Sequence, residues 1–420
     1  MLNRFAVGML TLFLCAATVQ AEDWPSWRGP RLDGISTEKN LPLRWSDKDN
    51  VAWKTEIPGI GHSSPIIFGD RVFVTSCIEN EQKRMLYCLD RTSGKILWER
   101  EVVTSKLEHK HGLNSFASST PTTDGKYLWV SFLEYPKMVV VCFDYEGKEV
   151  WRKSPGALLS THGFCSSPVL HKDLVILNGD QDAQAYIVAL DKKTGEEKWR
   201  ADRPNKTRSY CTPILIESKG KPGVTQLVLS GSKCVTSYNA DTGKLIWIIN
   251  GPTEQYVASL VFTDEMLFLT TGFPEYHLMG IRPDGEGDVT KSQVAWHHAK
   301  LPAKEASYVP SPIAYDAHFF VVSDLGYLTC LEAATGKKLW MEKMGKHHSA
   351  SPVLADGHFY FTDDDGVTWV LKAGDKFDVV AKNELGEPVR ASPAISRGQI
   401  FLRGSNHLFC IGKETKTSSK

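Results

Sequence analysis

The sequence lacks a net charge, because its 49 Lys and Arg are matched by 49 Asp and Glu in 420 residues. That balance argues against a broad electrostatic grip on nucleic acid or anionic lipid. It also lacks like-charge blocks, and with 42% hydrophobic and 23% charged residues it is too apolar for a disordered chain. Beyond residue 21 no apolar run is long enough to cross a bilayer, so no transmembrane segment is expected. No glycine-rich phosphate loop opens a helical pattern, which removes nucleotide-binding classes. Gly61-His62-Ser63-Ser64-Pro65 begins like a nucleophile elbow but ends in proline and leads into a strand, which removes the corresponding hydrolases.

The amino terminus is a targeting pattern. Arg4 precedes an apolar run from Phe5 to Ala17, and Val19-Gln20-Ala21 ends in the small residues that signal peptidase requires. Residues 1–21 are therefore expected to be a secretory signal peptide, making the mature protein periplasmic or secreted. A membrane anchor would need about 20 apolar residues. Leu14 before Cys15 disfavours lipid attachment there.

One unit recurs through the remainder. A Ser/Thr-Pro dipeptide opens an alternating run at Ser64, Thr120, Ser167, Thr212, Ser311, Ser351 and Ser392, and Ser259-Leu260 is an eighth copy without proline. A second landmark places tryptophan four residues after a turn glycine: Gly94 and Trp98, Gly147 and Trp151, Gly195 and Trp199, Gly243 and Trp247, Gly336 and Trp340. Period-two runs bounded by such turns are antiparallel hairpins, and a repeat of this length is that of a four-stranded propeller blade. The predicted fold is all-β, an eight-bladed β-propeller of four-stranded antiparallel blades. Asn50 to Glu56 is a closing strand without an opening, and Ser392 to Gly412 an opening without a closing strand. The N-terminal strand is thus expected to pair with the C-terminal blade and close the ring. The domain reading is a leader at 22–50, the propeller at 51–412 and a flexible tail at 413–420.

Arg91-Thr-Ser-Gly94-Lys-Ile-Leu-Trp98 and Ala334-Thr-Gly336-Lys-Lys-Leu-Trp340 resemble the PQQ-like (pyrroloquinoline-quinone-like) β-propeller repeat with its tryptophan-docking strands. The leader Trp24-Pro-Ser-Trp27-Arg-Gly-Pro30 looks like the opening of exported bacterial members. The resemblance implies a fold shared with quinoprotein alcohol and sugar dehydrogenases and with an outer-membrane protein assembly lipoprotein that binds no cofactor. For the enzymes it implies PQQ on the propeller axis, beside a disulfide of adjacent cysteines and a calcium-type ion.

No Cys-Cys dipeptide exists in this chain. Cys88, Cys142, Cys330 and Cys410 share one blade position, filled elsewhere by Ala189, Ser237 and Val370, and read as small buried thiols. Cys77 and Cys88 are the one disulfide expected, across a single hairpin. No metal site is expected. Asp363-Asp-Asp365-Gly366 aligns with the Asp324 turn and reads as a hairpin loop. Asp284-Gly-Glu286-Gly-Asp288 has Ala295 where a calcium loop needs glutamate. The doublets His297-His298 and His347-His348 would point to opposite faces of a strand.

Residues preceding each innermost strand converge on one mouth of an axial channel. They supply a ligand-binding funnel of His62, Asn114, Ser115, His162, Arg208 and Tyr210, continued by Gln255, Tyr256, Tyr308, His347, His348 and Arg390. Arg208 and Arg390 could hold an anionic or polyhydroxylated ligand. Acids are scarce in these segments, with Glu254 alone close by, so no catalytic residue and no cofactor are assigned. The leading expectation is a non-catalytic binding or scaffolding module for a protein, peptide or saccharide of the cell envelope. The alternative is a small PQQ-dependent alcohol or sugar dehydrogenase with calcium.

Overall fold

The computed structural model describes residues 22–205, 208–231 and 233–413. The expected signal peptide and the tail beyond Lys413 lie outside the described residues. Eight antiparallel sheets follow one another around the ring, each with four main strands, the eighth taking its fourth from near the amino terminus. The first blade is Ile66–Phe68, Arg71–Ile78, Lys83–Asp90 and Ile96–Thr104. The fourth and seventh blades each gain a short parallel fifth strand, Gly287–Asp288 and Ile35–Ser36 respectively. Among the described residues the one helical segment is the turn Glu79–Glu81.

The eighth blade closes the ring as the sequence predicted. Its inner three strands are Ala394–Ser396, Gln399–Arg403 and His407–Ile411, and the fourth is Val51–Glu56. Trp53 pairs with Cys410 and Glu56 with His407. Both faces of each sheet are thereby covered by neighbours, which removes the open edges of an isolated meander.

The tryptophan repeat has a packing cause. The indole of Trp53 donates to the Arg91 carbonyl in the next blade at 2.8 Å, Trp98 to Tyr145 at 3.1 Å, Trp151 to Lys192 at 3.1 Å and Trp296 to Ala333 at 2.8 Å. Each ring also lies on the following blade's turn glycine. Gly94 has φ +71°, and a Cβ there would meet Trp53 at 2.5 Å. Glycine is needed both for the left-handed turn and for the neighbour's indole. On the third strand, the residue facing each tryptophan is small: Cys88 faces Trp98, Cys142 faces Trp151, Ala189 faces Trp199 and Gly280 faces Trp296. The bulk of the indole leaves room for little else, which accounts for the buried thiols.

The expected disulfide is a correction. Cys77 lies opposite Arg84 and Cys88 opposite Phe73, and both thiols are free. Four residues of strand separate them, about 13 Å, well beyond the roughly 7 Å between Cα atoms that a disulfide spans.

Candidate functional site

The Ser/Thr landmarks form a belt around the axis. The Ser64 amide donates to Thr120 Oγ1, Thr120 to Ser167 Oγ, Ser167 to Thr212 Oγ1 and Thr212 to Ser259 Oγ, at 2.9 to 3.0 Å. Ser259 continues to Ser311, Ser311 to Ser351 and Ser351 to Ser392, again at 2.9 to 3.0 Å. Each residue from Thr120 to Ser351 gives its amide to one neighbouring blade and its hydroxyl oxygen to the other. The proline that follows has no N–H to leave unpaired beside the channel. Ser259 makes both bonds without a proline, so the hydroxyl is the essential half of the dipeptide. Among the described residues the junction from Ser392 to Ser64, where the ring closes, has no such bond. All eight residues line the axial pocket, and the seven hydroxyls that accept from an amide each retain their own proton to donate inward.

The far end of the channel is sealed by the leader. Trp24 bridges Ile67 of the first blade through two backbone bonds of 2.8 Å, and Pro25 accepts from Thr123 of the second at 2.9 Å. The buried Arg28 guanidinium then reaches across to the Ser311 and Pro312 carbonyls of the sixth blade at 3.1 and 2.6 Å. Ile35–Ser36 pairs with Leu354–Ala355 in the seventh. Between these anchors Trp27 faces the pocket. The result is a blind cavity of about 500 Å³, open at the opposite mouth. Sequence reading treated residues 22–50 only as a leader; the aromatic and arginine content of Trp24 to Arg28 was the available signal.

Eight of the twelve expected funnel residues line this cavity: His62, Asn114, His162, Arg208, Tyr210, Gln255, Tyr308 and Arg390. Four do not. Ser115 is buried and turns inward, its Oγ accepting from the His62 amide at 3.1 Å. Tyr256 is fully buried, and its hydroxyl donates to the Gly251 carbonyl at 2.8 Å. His348 is 0% exposed, and His347 is held outside the lining by Asp364 at 2.9 Å. In an extended segment neighbours face opposite ways, so Gln255 excludes Tyr256. In the seventh blade Ser349 takes the inward place. His111, Leu113, Val257, Phe273 and Val309 also line the wall and were missed: His111 and Phe273 lie in loops outside the repeated positions, and the other three adjoin expected residues.

The acids that the sequence reading found scarce are present behind the wall. Asp324 accepts from the Tyr308 and Val309 amides at 2.7 and 3.0 Å. Asp364 accepts from the Ser349 amide at 2.8 Å, from its hydroxyl at 3.0 Å and from His347. Asp363–Gly366 is indeed a hairpin turn, yet one that holds a mouth segment in place. Asp182 pairs with Arg208 Nη1 at 2.5 Å, and the Gln255 amide oxygen, oriented toward that guanidinium, lies 2.8 Å from Nη2.

The wall itself carries two guanidiniums and three imidazoles and, among the described residues, no carboxylate. Burial, reinforced by the charges of Arg390, Lys110 and Arg403, pushes His62 down to about 4. Burial and then Arg208 lower His162, and burial raises the Cys165 thiol to about 12. At neutral pH the wall therefore presents neutral His62, a protonated thiol and permanent guanidinium charge. It can donate hydrogen bonds and attract an anion, and it holds no thiolate nucleophile.

A protein family described as outer membrane protein assembly factor BamB matches residues 44–130, 86–264 and 286–376. The Yersinia pestis outer membrane protein assembly factor BamB is 20% identical over 363 residues, 83% of this chain and 75% of that protein. A Pseudomonas polyvinylalcohol dehydrogenase is 20% identical over 272 residues, 54% of this chain, and the chain spans only 40% of that relative. Among solved structures, quinohemoprotein alcohol dehydrogenase from Comamonas testosteroni superposes with a TM-score of 0.64 at 12% identity, covering 96% of this chain and 83% of that one. Likeness at that identity shows the fold alone.

Proposed function

Because the chain belongs to the PQQ-like propeller family described as outer membrane protein assembly factor BamB, we propose that it is an exported, non-catalytic binding or scaffolding module of the periplasm or cell envelope. Its partner is a protein or peptide in preference to a saccharide. The observation that carries this reading is the pocket wall, rich in donors and, among the described residues, without a carboxylate. Such a wall suits recognition, and among the described residues its imidazoles have no carboxylate in the wall to act as a general acid or base beside them. The belt and the clamped mouth segments make the open end a rigid platform, as loop-borne recognition requires.

The second reading, quinone-dependent oxidation of an alcohol or sugar, draws on the likeness to the dehydrogenases. The residues present do not fit the quinone and calcium pair. Asp182 and Asp364 are engaged by Arg208 and by Ser349 with His347, so calcium would find no carboxylate facing the pocket. Among the described residues no three His, Cys, Asp or Glu side chains are grouped to hold a metal. Among the described residues Cys165 is the one cysteine in the wall.

The test is in-cell photo-crosslinking from the mouth, paired with addition of quinone and calcium to the purified protein. A discrete protein adduct without dye reduction supports the binding module. Stoichiometric quinone binding with turnover of an alcohol or sugar overturns it.

A further inference from the structure

We propose that the axial pocket receives the free C-terminal carboxylate of a partner polypeptide, seated at Arg390 with the apolar side chain of the last residue lodged in the apolar lining of the same cavity. This rests on the binding role above and names what that role recognises.

Three features of the cavity converge on a chain terminus. The floor is closed by Trp27 and the leader strap, so a polypeptide cannot thread through and must enter by an end. The wall then selects which end. A protonated amine would meet two guanidiniums and, among the described residues, no carboxylate, whereas a carboxylate meets charge-assisted donors. Apolar lining from Trp27, Leu113, Val257, Phe273 and Val309 offers a seat for a terminal side chain.

The two arginines stand four blades apart and differ in availability. Arg208 is neutralised by Asp182 at 2.5 Å and engaged by Gln255. Arg390 approaches Asp364 only at 3.7 Å, keeps 39% of its side chain exposed and makes no hydrogen bond among the described residues. Asp364 already serves Ser349 and His347, so the Arg390 fork remains open. Beside it Arg403 is 1% exposed, with Nε and Nη1 lacking partners, and its charge reaches His62, as do those of Lys110 and Arg390. Cations thus gather on the side of the pocket shared by the eighth and first blades, Arg403 interacting with Glu387 and Arg390 keeping an open fork. A bound carboxylate pairs with the open Arg390 fork, and the ring of free hydroxyl protons supplies donors for its second oxygen and the last peptide carbonyl.

The experiment is calorimetric titration of the full chain with acetyl-Gly-Gly-Ala-Phe bearing a free carboxylate, with the same peptide as its carboxamide, and with trigalacturonate. The free acid is expected to bind at least about tenfold more tightly than the amide. Arg390→Gln should erase that preference without moving the melting temperature, and Arg390→Lys should retain part of it, since the charge stays but the fork is lost. Equal binding of acid and amide, no peptide binding at millimolar concentration, or binding of trigalacturonate in the peptide's place would overturn the proposal. If the Arg390→Gln protein still forms the partner adduct as the wild type does, the pocket is not the recognition site while the binding module stands.

Discussion

The two ends of the axial channel are built on opposite plans. The sealed end is held by a strap from outside the repeat, through backbone bridges at Trp24 and Pro25 and the buried guanidinium of Arg28. The open end is held from within the repeat, by carboxylates such as Asp324 and Asp364 that fix mouth segments of their own blades. Buried long-range contacts make the first end a structural closure. Short local clamps leave the second end ordered, with a guanidinium and eight hydroxyls still available. The difference teaches that the channel has been made one-ended, and that recognition belongs at the end where polar groups retain unused bonds.

Removing Val51–Glu56 should break the comparison altogether, since both ends depend on a closed ring. Loss of Trp53 and of the strand's five cross-strand pairings should cost at least about 5 kcal/mol, read as a collapse of the thermal transition; an unchanged melt would contradict the latch. Arg28→Ala attacks the sealed end alone. It leaves the Ser311 and Pro312 carbonyls without donors and should cost about 3 kcal/mol by chemical denaturation, while Asp364→Asn at the open end should cost about 1 kcal/mol. Costs in the reverse order would mean that the strap is decoration.

The open end should also respond to pH more than the sealed end. His62 and His348 are both pushed down to about 4, chiefly by burial, so between pH 6.5 and 4 the unfolded chain binds more protons at these sites than the folded one. Stability from them is complete above 6.5 and is lost as pH falls toward 4. A His62→Gln, His348→Gln protein should therefore show a flatter melting temperature across that window than the wild type; parallel profiles would show that the two imidazoles titrate normally. The smallest effect on stability is expected from Trp27→Ala. Because Trp27 is only partly buried, its removal should shift the melt little while opening the floor, which xenon or small-alcohol occupancy in a crystal would reveal; an unchanged cavity would place the seal elsewhere.

Legibility in the sequence followed locality. Blade count, turn glycines and the small residue on the third strand could be read because the same inter-blade contact is made repeatedly, so Gly94 with Trp53 and Gly147 with Trp98 leave one signature. Inward-facing residues were legible blade by blade, but not the alternation that hides Tyr256 and His348. The disulfide reading failed because the hairpin's register, unlike its existence, was not encoded in spacing. Arg28 was opaque for a different reason: its partners in the sixth blade lie more than 280 positions away, and no repeat announces them. Asp364 was correctly placed in a turn, yet its orientation toward Ser349 depends on packing that a linear pattern does not carry.

The most direct test places a photo-crosslinking residue at Phe273 on the rim of the open end in one protein and at the exposed Arg31 on the strap side in another, each expressed in the native host. A protein adduct from position 273, absent from position 31, is the predicted result. Adducts from position 31 alone would contradict the assignment of recognition to the open mouth.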